Sequence, residues 1–377
     1  MEFRDLKTQY LQNKTAIDSA IQNVLLSSHF IGGEPVGQLE EKLSDYVGVK
    51  HCITCANGTD ALQLALMAWN IGKGDAVFVP DFTFFSTAEV VPWVGATPVF
   101  VDVDENTFNI SAKSLEEAVQ NVVNEGKLIP KVVIAVDLFG QPADFPEIRK
   151  ITQKYGMLLL EDGAQGFGGS IDTQKACSFG DIATTSFFPA KPLGCYGDGG
   201  AVFTNNDEWA ELIRSYKVHG KGTNKYDNIR IGMNSRLDTI QAAILLAKFE
   251  NFVNVEIKAV NEVARNYSNL LGNYVVTPWI KSGFNSSWAQ YTIKTKNKKE
   301  RNEIQEKLKK KQIPSMVYYA RSIHEQKAFN TNINSQTELK NSVLLCNTVL
   351  SLPMHPYLQN EEVLHISNEI IRILDRR

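Results

Sequence analysis

The sequence lacks any long apolar run. A membrane-spanning helix needs about 20 consecutive apolar residues, and the most apolar region, residues 90–101, is interrupted by Pro92, Gly95, Thr97 and Pro98. The N-terminus, MEFRDLKTQY, lacks the apolar segment that a secretory signal carries. We therefore expect a cytoplasmic protein with no membrane partner.

The sequence also has no large excess of charge of one sign. Its 39 Lys and Arg residues nearly balance its 42 Asp and Glu residues, which gives a net charge of −3. Bulk electrostatic binding to nucleic acid is therefore not expected. The basic stretch 294–311 is interrupted by Glu300, Glu303 and Glu306, a pattern that favours a solvated helix face.

Cysteines are few and odd in number: Cys52, Cys55, Cys177, Cys195 and Cys346. This scatter excludes a disulfide framework and agrees with a reducing compartment. Cys52 and Cys55 have the C-x-x-C spacing, but no second pair and no histidine cluster accompany them. On a strand, an offset of three places the two thiols on opposite faces, so separate core positions are favoured over a shared metal, and no metal site is expected.

The 377 residues, 43% of them hydrophobic, are enough for one large domain and a smaller one. Short apolar runs predict buried strands, and helical periodicity separates them. The predicted strands are residues 76–80, 98–103, 132–136, 157–160, 182–188 and 201–204. The predicted helices are residues 60–69, 114–123 and 145–155. This alternation predicts an α/β fold with a mainly parallel sheet between helices.

The last third of the chain has a different pattern. A long helical stretch, residues 237–270, is suited to bridge two lobes. Polar connections then separate shorter segments, up to a final helix at residues 361–374, which predicts a smaller α+β domain. We therefore expect a large domain over residues 1–245, whose first residues pack with the small domain, and a small domain over residues 246–377.

A lysine, Lys191, stands between an aromatic-ended strand and a glycine-rich turn in SFFPAKPLGCYGDGGA. Most lysines are simply solvated. In an apolar pocket, however, this amine would lose its proton and act as a nucleophile. A change of pKa from about 10.4 to about 7.5 costs on the order of 4 kcal/mol, which the surrounding fold or a bound cofactor must supply.

An acid, Asp162, follows an apolar strand in MLLLEDGAQGFG. Open parallel sheets bind ligands beyond the carboxyl ends of their strands, so its carboxylate is expected at the ligand edge. A helix or turn cap is the alternative role for this residue. Gln165 follows three residues later and is placed to face the same ligand.

A third motif, CANGTDALQLAL, runs from a strand-like piece through Gly58 and Thr59 into a helix. Free N–H groups at a helix start favour a phosphate, and the Thr59 hydroxyl adds a donor. An ordinary capped helix start is the alternative. Together, a phosphate cup, a carboxylate for a ring nitrogen and a Schiff-base lysine match the needs of pyridoxal 5′-phosphate, PLP.

The chain resembles the DegT/DnrJ/EryC1/StrS family of PLP-dependent nucleotide-sugar aminotransferases. The resemblance extends from MEFRDL to SLPMHPYL and rests on the motifs GTDAL, DFTFFSTAE, GATPVFVDVD, EDGAQ, SFFPAKPLGCYGDGGA and IGMNSRLDTIQAA. It implies a type I aminotransferase fold, with a mainly parallel seven-stranded sheet in the large domain. It also implies a homodimer whose active sites lie at the subunit interface.

The resemblance assigns roles to matching residues. Lys191 is similar to the lysine that holds the cofactor and moves the proton, and Asp162 to the partner of the ring nitrogen. Gln165 matches the residue near the ring hydroxyl, and Phe84 and Ala164 match the residues on the two ring faces. The implied phosphate contacts are Thr59, Asp60 through its main chain, Ser186 and, from the neighbouring subunit, Asn234. Taken alone, Asn234 is typical of a turn or cap, Ser186 of a strand end and Phe84 of a core aromatic.

The most similar subgroup aminates C3 of UDP-linked 2-acetamido-3-keto sugars, with L-glutamate as donor and 2-oxoglutarate as product, for surface polysaccharide or lipopolysaccharide synthesis. Gly163 and Asp198 differ from common family residues. Residues 318–324, YYARSIH, replace a pattern close to His-Tyr-Pro-x-Pro-Leu-His. The substrate candidates are Arg236, Tyr319, Arg321 and His324. A solvent-facing position is the alternative for Arg321.

Other functions remain as alternatives. The first is amination at C3 or C4 of a dTDP- or UDP-linked 6-deoxy-keto sugar. The sequence does not fix the epimer of the sugar, the nucleotide or the oxidation state of C6 in the sugar. The second is a sugar dehydratase. Lys191 argues against it, because known dehydratases of this type have histidine in place of this lysine. The third is a non-catalytic regulator or nucleic-acid binder on the same scaffold.

Overall fold

The computed structural model describes residues 1–224, 226–329 and 337–375. Its strands are β1 (His51–Cys55), β2 (Asp75–Pro80), β3 (Thr97–Val101), β4 (Ile129–Val136), β5 (Leu158–Asp162), β6 (Ser170–Ile171), β7 (Gln174–Lys175), β8 (Ile182–Ser186), β9 (Gly200–Thr204), β10 (Phe284–Asn285), β11 (Tyr291–Lys294) and β12 (Val349–Leu352). Its helices are α1 (Leu6–Ser27), α2 (Glu34–Val47), α3 (Gly58–Ala68), α4 (Ser86–Trp93), α5 (Ala112–Glu125), α6 (Phe145–Tyr155), α7 (Asp207–Tyr216), α8 (Thr239–Asn251), α9 (Ile257–Leu271), α10 (Lys298–Lys310), α11 (Lys340–Thr348) and α12 (Asn360–Asp375).

The central sheet has seven strands among the described residues, in the order β1-β9-β8-β5-β4-β2-β3. Strand β9 is antiparallel to both of its neighbours, and the remaining pairs are parallel. The predicted α/β class with a mainly parallel seven-stranded sheet is therefore confirmed. Ligands of such sheets bind beyond the carboxyl ends of the parallel strands, where β5 ends at Asp162 and β8 at Ser186.

Both faces of the sheet are buried under helices. Val77 and Val79 of β2 pack in one apolar cluster with α3 and α4, whereas Ala76 and Phe78 pack in another with α5 and α6. This alternation follows from the two-residue period of a strand, and it explains why the strands are apolar throughout. In β1, Cys52 and Cys55 likewise lie in different clusters, as their spacing predicts.

The C-terminal part of the chain has its own core. The pair β11–β12 packs with α9, α10 and α12 around residues such as Tyr267, Tyr291 and Ile370. A π-helical turn, Phe252–Glu256, joins α8 to α9 and makes one long helical segment of them, in agreement with the predicted helix over 237–270. Helix α8 runs through the proposed boundary at residues 245/246, so the chain passes from one core to the other inside this long helix. The carbonyl of Phe3 accepts the main-chain N–H of Met354 at 3.1 Å, which ties the first residues to this part.

None of the helices in the described part of the chain has the length and apolar character needed to cross a bilayer. Within the same residues, no group of three or more His, Cys, Asp and Glu side chains is arranged to hold a metal ion.

Candidate active site

The candidate site begins where three strands of the sheet meet helix α3. Cys55 at the end of β1 pairs with Gly200 at the start of β9, and Gly200 pairs in turn with Ser186 at the end of β8. Helix α3 begins at Gly58, where an added Cβ atom would lie 2.8 Å from the Cβ of Ser186. Glycine at this position therefore lets the start of the helix lie against Ser186.

The start of α3 carries a set of hydrogen-bond donors. The N–H groups of Gly58 and Thr59 lie in the first turn, where main-chain donors have no partner inside the helix. The Thr59 hydroxyl lies 2.8 Å from that of Ser86. The N–H of Asp60 already donates to the capping side chain of Asn57, at 2.8 Å. N–H groups and hydroxyls at a helix N-terminus suit a phosphate dianion.

Asp162 is the last residue of β5 and is 5% exposed. One carboxylate oxygen accepts the Thr87 hydroxyl at 2.9 Å, and the other accepts the Ala164 N–H at 3.2 Å. Burial raises the pKa of Asp162, while these two hydrogen bonds and the charge of Lys191 oppose the rise. The carboxylate is thus fixed in orientation and benefits from any further cationic or N–H partner.

Lys191 lies in the loop between β8 and β9. Burial lowers the pKa of its amine, the Asp162 carboxylate opposes that change, and the Arg4 cation adds to it. Within the described part of the chain, no ion pair or hydrogen bond joins the Lys191 and Asp162 side chains. An amine with a lowered pKa, held beside a fixed carboxylate, can act as a nucleophile and can carry a proton.

The start of α4 connects these groups. Ser86 contacts Thr59, Thr87 contacts Asp162, and the ring of Phe84 lies 6.4 Å from that of Tyr319. Phe84 is 55% exposed, which is high for a phenylalanine among buried neighbours. The predicted role of Phe84 as a ring-stacking residue agrees with this exposed position.

Gln165 and Tyr319 form a second, partly buried contact. The side-chain oxygen of Gln165 accepts the Phe139 N–H at 2.7 Å, and its nitrogen donates to the Tyr319 hydroxyl at 3.2 Å. Burial raises the pKa of Tyr319, so this hydroxyl stays protonated at neutral pH. Tyr319 also packs edge-on against Phe82, with ring centroids 5.9 Å apart. Of the predicted substrate residues, Tyr319 thus lies among the cofactor candidates.

Asn234 and Arg236 are exposed, and they flank the buried Ser235. The Ser235 hydroxyl accepts the Ala56 N–H at 3.0 Å, which places this segment beside the start of α3. Asn234 also pairs with Val218 in an isolated bridge. The exposure of Asn234 agrees with its predicted role across a subunit interface, and that of Arg236 with its predicted role as a substrate residue; both remain predictions.

The last two substrate candidates lie in different surroundings. Arg321 is exposed. His324 contacts the fully buried Asp81, both through its main-chain N–H at 2.8 Å and through its ring Nδ1 at 2.7 Å. The hydrogen bond to Asp81 raises the pKa of His324. This contact anchors the 318–324 segment to the end of β2, which is a structural task for a residue predicted to face the substrate.

Three contributors to the site were not singled out from the sequence: Ser86, Thr87 and Arg4. Ser86 and Thr87 belong to the motif DFTFFSTAE, of which only Phe84 was assigned a role. Thr87 and Asp162 are separated by 75 residues in the chain, so no local pattern reveals their contact. Arg4 lies in the quoted MEFRDL segment, yet nothing in that segment indicates its contact with residue 191.

Comparison with known proteins identifies the family. The model of the DegT/DnrJ/EryC1/StrS aminotransferase family matches residues 12–371. The chain belongs to this family. The resemblance stated from the motifs is therefore confirmed.

Several curated relatives match along nearly the whole chain. A UDP-2-acetamido-2-deoxy-3-oxo-D-glucuronate aminotransferase from Pseudomonas aeruginosa is 44% identical over 96% of this chain and 97% of its own. A pleiotropic regulatory protein from Geobacillus stearothermophilus is 39% identical over 97% and 96%. A UDP-N-acetyl-3-dehydro-α-D-glucosamine 3-aminotransferase from Acidithiobacillus ferrooxidans is 38% identical over 98% and 97%.

Solved structures with the same fold also match the chain. A DegT/DnrJ/EryC1/StrS aminotransferase from Brucella abortus superposes with a TM-score of 0.97 at 45% identity, over 99% of both chains. The protein NtdA from Bacillus subtilis, solved with the cofactor PMP, superposes with a TM-score of 0.89 at 27% identity, over 100% of this chain and 85% of its own. Aminotransferases of this family depend on PLP, and this chain is a nucleotide-sugar transaminase.

The residues of this DegT-family chain fit the cofactor. The helix start at Gly58 and Thr59, with the hydroxyl of Ser186 against it, offers donors to a phosphate. Asp162 has both carboxylate oxygens directed by hydrogen bonds, and the nearby Lys191 amine has a lowered pKa. When bound, PLP withdraws electrons from the carbon that loses its proton. The protein then has to bind and orient the substrate, and it has to move that proton.

Proposed function

We propose that this aminotransferase transfers an amino group from L-glutamate to C3 of a UDP-linked 2-acetamido-2-deoxy-3-keto-hexose, with the hexuronate as the first candidate. The observation that carries the reaction type is the convergence of Lys191, Asp162 and the α3 helix start at one sheet edge. The sugar comes from the relatives, because two of them act on UDP-linked 2-acetamido sugars with an oxo group at C3. The product would serve surface polysaccharide or lipopolysaccharide synthesis.

Each residue of the site has a task in this proposal. Lys191 would hold the cofactor and carry the proton, because burial lowers the pKa of its amine and the Asp162 charge lies nearby. Asp162 would bind the ring nitrogen, held in place by Thr87 and Ala164. Thr59, Ser186 and the main chain at Gly58 would bind the phosphate. Phe84 and Ala164 would enclose the ring, and Gln165 would lie near its hydroxyl.

A homodimer with shared active sites would complete this arrangement. Asn234 would reach the phosphate of the neighbouring subunit, and Arg236 would reach the sugar nucleotide. The segment that leads to Asn234 exposes Ile229 and Ile231, the latter 91% exposed, and exposed apolar residues of this kind favour a protein interface. We also propose a cytoplasmic location, because the five cysteines are free and buried.

The test is a panel of keto sugars incubated with the purified holoenzyme and L-glutamate. The panel contains UDP-2-acetamido-3-keto-glucuronate, its C6-hydroxymethyl counterpart, and a dTDP-linked 3-keto-6-deoxy sugar, with mass measurement of the products. The proposal predicts fastest amination of a UDP-linked 2-acetamido-3-keto sugar, and the first two members decide the C6 state. Preference for the dTDP sugar would overturn the assigned substrate.

A regulatory role is the second candidate, because one relative at 39% identity is named a pleiotropic regulatory protein. A regulator does not need a lysine with a lowered pKa beside a directed carboxylate, so the geometry favours the enzyme. Complete absence of amination by cofactor-loaded protein across the panel would favour the regulator.

A further inference from the structure

Arg4 contacts the backbone of the candidate catalytic lysine. Its guanidinium Nη2 donates to the carbonyl of Lys191 at 3.0 Å, across 187 residues of chain. The neighbouring Phe3 is fixed on the other side, because its carbonyl accepts the N–H of Met354 and its ring lies 6.2 Å from that of Tyr318. Asp5 then caps α1 by accepting the Thr8 N–H at 2.8 Å. Arg4 is thus held in place from both sides.

A second cation holds the same loop. Lys248 of α8 is 1% exposed, and its amine donates to the carbonyl of Gly194, three residues after Lys191. Its ammonium also lies 5.2 Å from the ring centroid of Tyr196. Two cations from separate elements therefore bind two carbonyls of one short loop. Hydrogen bonds from charged donors are stronger than neutral ones, which makes this loop backbone well fixed.

Several ionisable groups act electrostatically on Arg4. Glu256 is buried and accepts hydrogen bonds from Gln9, Asn251 and Tyr357. It attracts Arg4 electrostatically, but no ion pair to Arg4 occurs within the described residues. The other ionisable groups near Arg4 are Lys248, Tyr357 and His355, whose pKa burial lowers to about 4. The charged groups that act on the Lys191 amine are Asp162 from β5 and Arg4 from the N-terminal segment.

We propose that Arg4 is a positioning residue for Lys191, which fixes the main chain of the lysine and places a positive charge 3.0 Å from its carbonyl oxygen. This inference rests on the proposed function. A nearby cation favours the neutral form of a nitrogen base, so loss of Arg4 lets the nitrogen keep its proton to higher pH. The neutral form is the one that accepts a proton from the substrate carbon.

The test is a pH titration of the visible absorption band of the holoenzyme, which reports protonation of the lysine nitrogen bound to the cofactor. The variants are Arg4→Gln, which removes the charge, Arg4→Lys, which keeps it, and Lys7→Gln, a matched loss of charge at an exposed position of α1. Arg4→Gln should titrate about one pH unit higher than the wild type, whereas Arg4→Lys, which retains the positive charge, should titrate close to the wild type. Lys7→Gln should titrate like the wild type.

A wild-type titration curve in Arg4→Gln would overturn the proposal, because a residue that only stabilises the fold would leave the curve unmoved. An equal change in Lys7→Gln would also overturn it. If Arg4→Gln does not retain PLP, the pH dependence of the rate at which the apoprotein takes up PLP replaces the titration, with the same expected change. The proposed function itself fails by a different result, a wild-type holoenzyme without any visible band that depends on Lys191.

Discussion

At the residue scale, burial acts in opposite directions on the two central groups of the site. It lowers the pKa of Lys191 and raises the pKa of Asp162, so in both cases it favours the neutral form. For Asp162, the attraction to Lys191 and the hydrogen bonds from Thr87 and Ala164 oppose the rise in pKa. A cationic ring nitrogen would add a further partner that keeps Asp162 ionised. Lys191 and Asp162 therefore depend on each other for the tasks assigned to them.

The roles of these two residues predict different phenotypes. Lys191→Ala should lose the visible absorption of the lysine-bound cofactor and lower kcat by about 10²–10⁴, because the proton carrier is gone. Asp162→Asn should retain the cofactor but lower kcat on a similar scale. Absorption spectra and steady-state rates check both variants, with circular dichroism as the control for folding. Turnover close to that of the wild type in either variant would refute its assignment.

The contact between His324 and Asp81 predicts a pH-dependent stability. The pKa of His324 is raised by its hydrogen bond to Asp81 in the folded state. Its stabilisation is therefore fully present below the unfolded pKa, about 6.5, and is lost as the pH rises through the folded pKa. His324→Gln should lower the free energy of unfolding by about 1–3 kcal/mol at pH 5.5 and by clearly less at pH 9. Urea unfolding at both values measures this. An equal loss at the two pH values would rule out the charged contact.

At the scale of elements, the site depends on where strands and helices end. Strands β1, β8 and β9 meet with Cys55, Gly200 and Ser186 in one row, and α3 and α4 both begin against that edge. Helix α4 then connects the phosphate donors to the carboxylate through Ser86 and Thr87. A small displacement of one helix start is thus expected to weaken cofactor binding as well as stability.

Gly58→Ala tests this expectation. The new Cβ would lie 2.8 Å from Ser186 Cβ, which is too close, so the start of α3 must move away from the sheet. We expect PLP to bind about tenfold more weakly, with a loss of about 1–3 kcal/mol in the free energy of unfolding from overpacking. Fluorescence titration of the apoprotein with PLP gives the affinity.

Gly37→Ala is the matched control. Gly37 lies inside α2 with nothing within 4 Å of an added Cβ atom, so alanine should bind PLP normally and stabilise the helix by up to about 1 kcal/mol. Wild-type PLP affinity in Gly58→Ala, or an equal loss in both variants, would contradict the assigned phosphate site.

Elements differ in how well the sequence predicts them. The buried strands and helix α6 were predicted within a few residues, because uninterrupted apolar runs and a clear helical period leave little choice. Helices α1 and α2 were not predicted. In α1 the exposed Leu11, Leu25 and Leu26 obscure the apolar stripe, and its buried face becomes clear only once α8 packs against it.

The residues of the site also differ in how well the sequence predicts them. Lys191, Asp162 and the start of α3 follow from local motifs, because each lies at a strand end or helix start. Contacts such as Thr87 with Asp162 and Arg4 with Lys191 join residues 75 and 187 positions apart, and only the folded chain brings them together. The fixed pairing of His324 with Asp81 is of this kind too.

At the scale of the whole molecule, the proposed dimer predicts complementation between inactive subunits. If Asn234 acts across the interface, a mixed dimer of Lys191→Ala and Asn234→Ala subunits has one intact site. Random exchange of equal amounts should then restore about a quarter of wild-type activity. Mixing after mild dissociation, followed by rate measurement, checks this.

The control mixture combines Lys191→Ala with Asp162→Asn, because both residues belong to one subunit's site. This mixture should recover no activity. Absence of recovery in the first mixture, with mixed dimers shown by native mass spectrometry, would assign Asn234 to its own subunit's site or to no site.

The central claim is that this protein moves an amino group from glutamate to a sugar carbon through Lys191. The most direct measurement is the incubation of holoenzyme with ¹⁵N-labelled L-glutamate and a UDP-linked 2-acetamido-3-keto sugar, followed by mass spectrometry. We predict ¹⁵N in the sugar nucleotide with the wild type and essentially none with Lys191→Ala. Labelled sugar from Lys191→Ala at the wild-type rate, or no labelled sugar from the wild type with any keto sugar of the panel, would contradict the account.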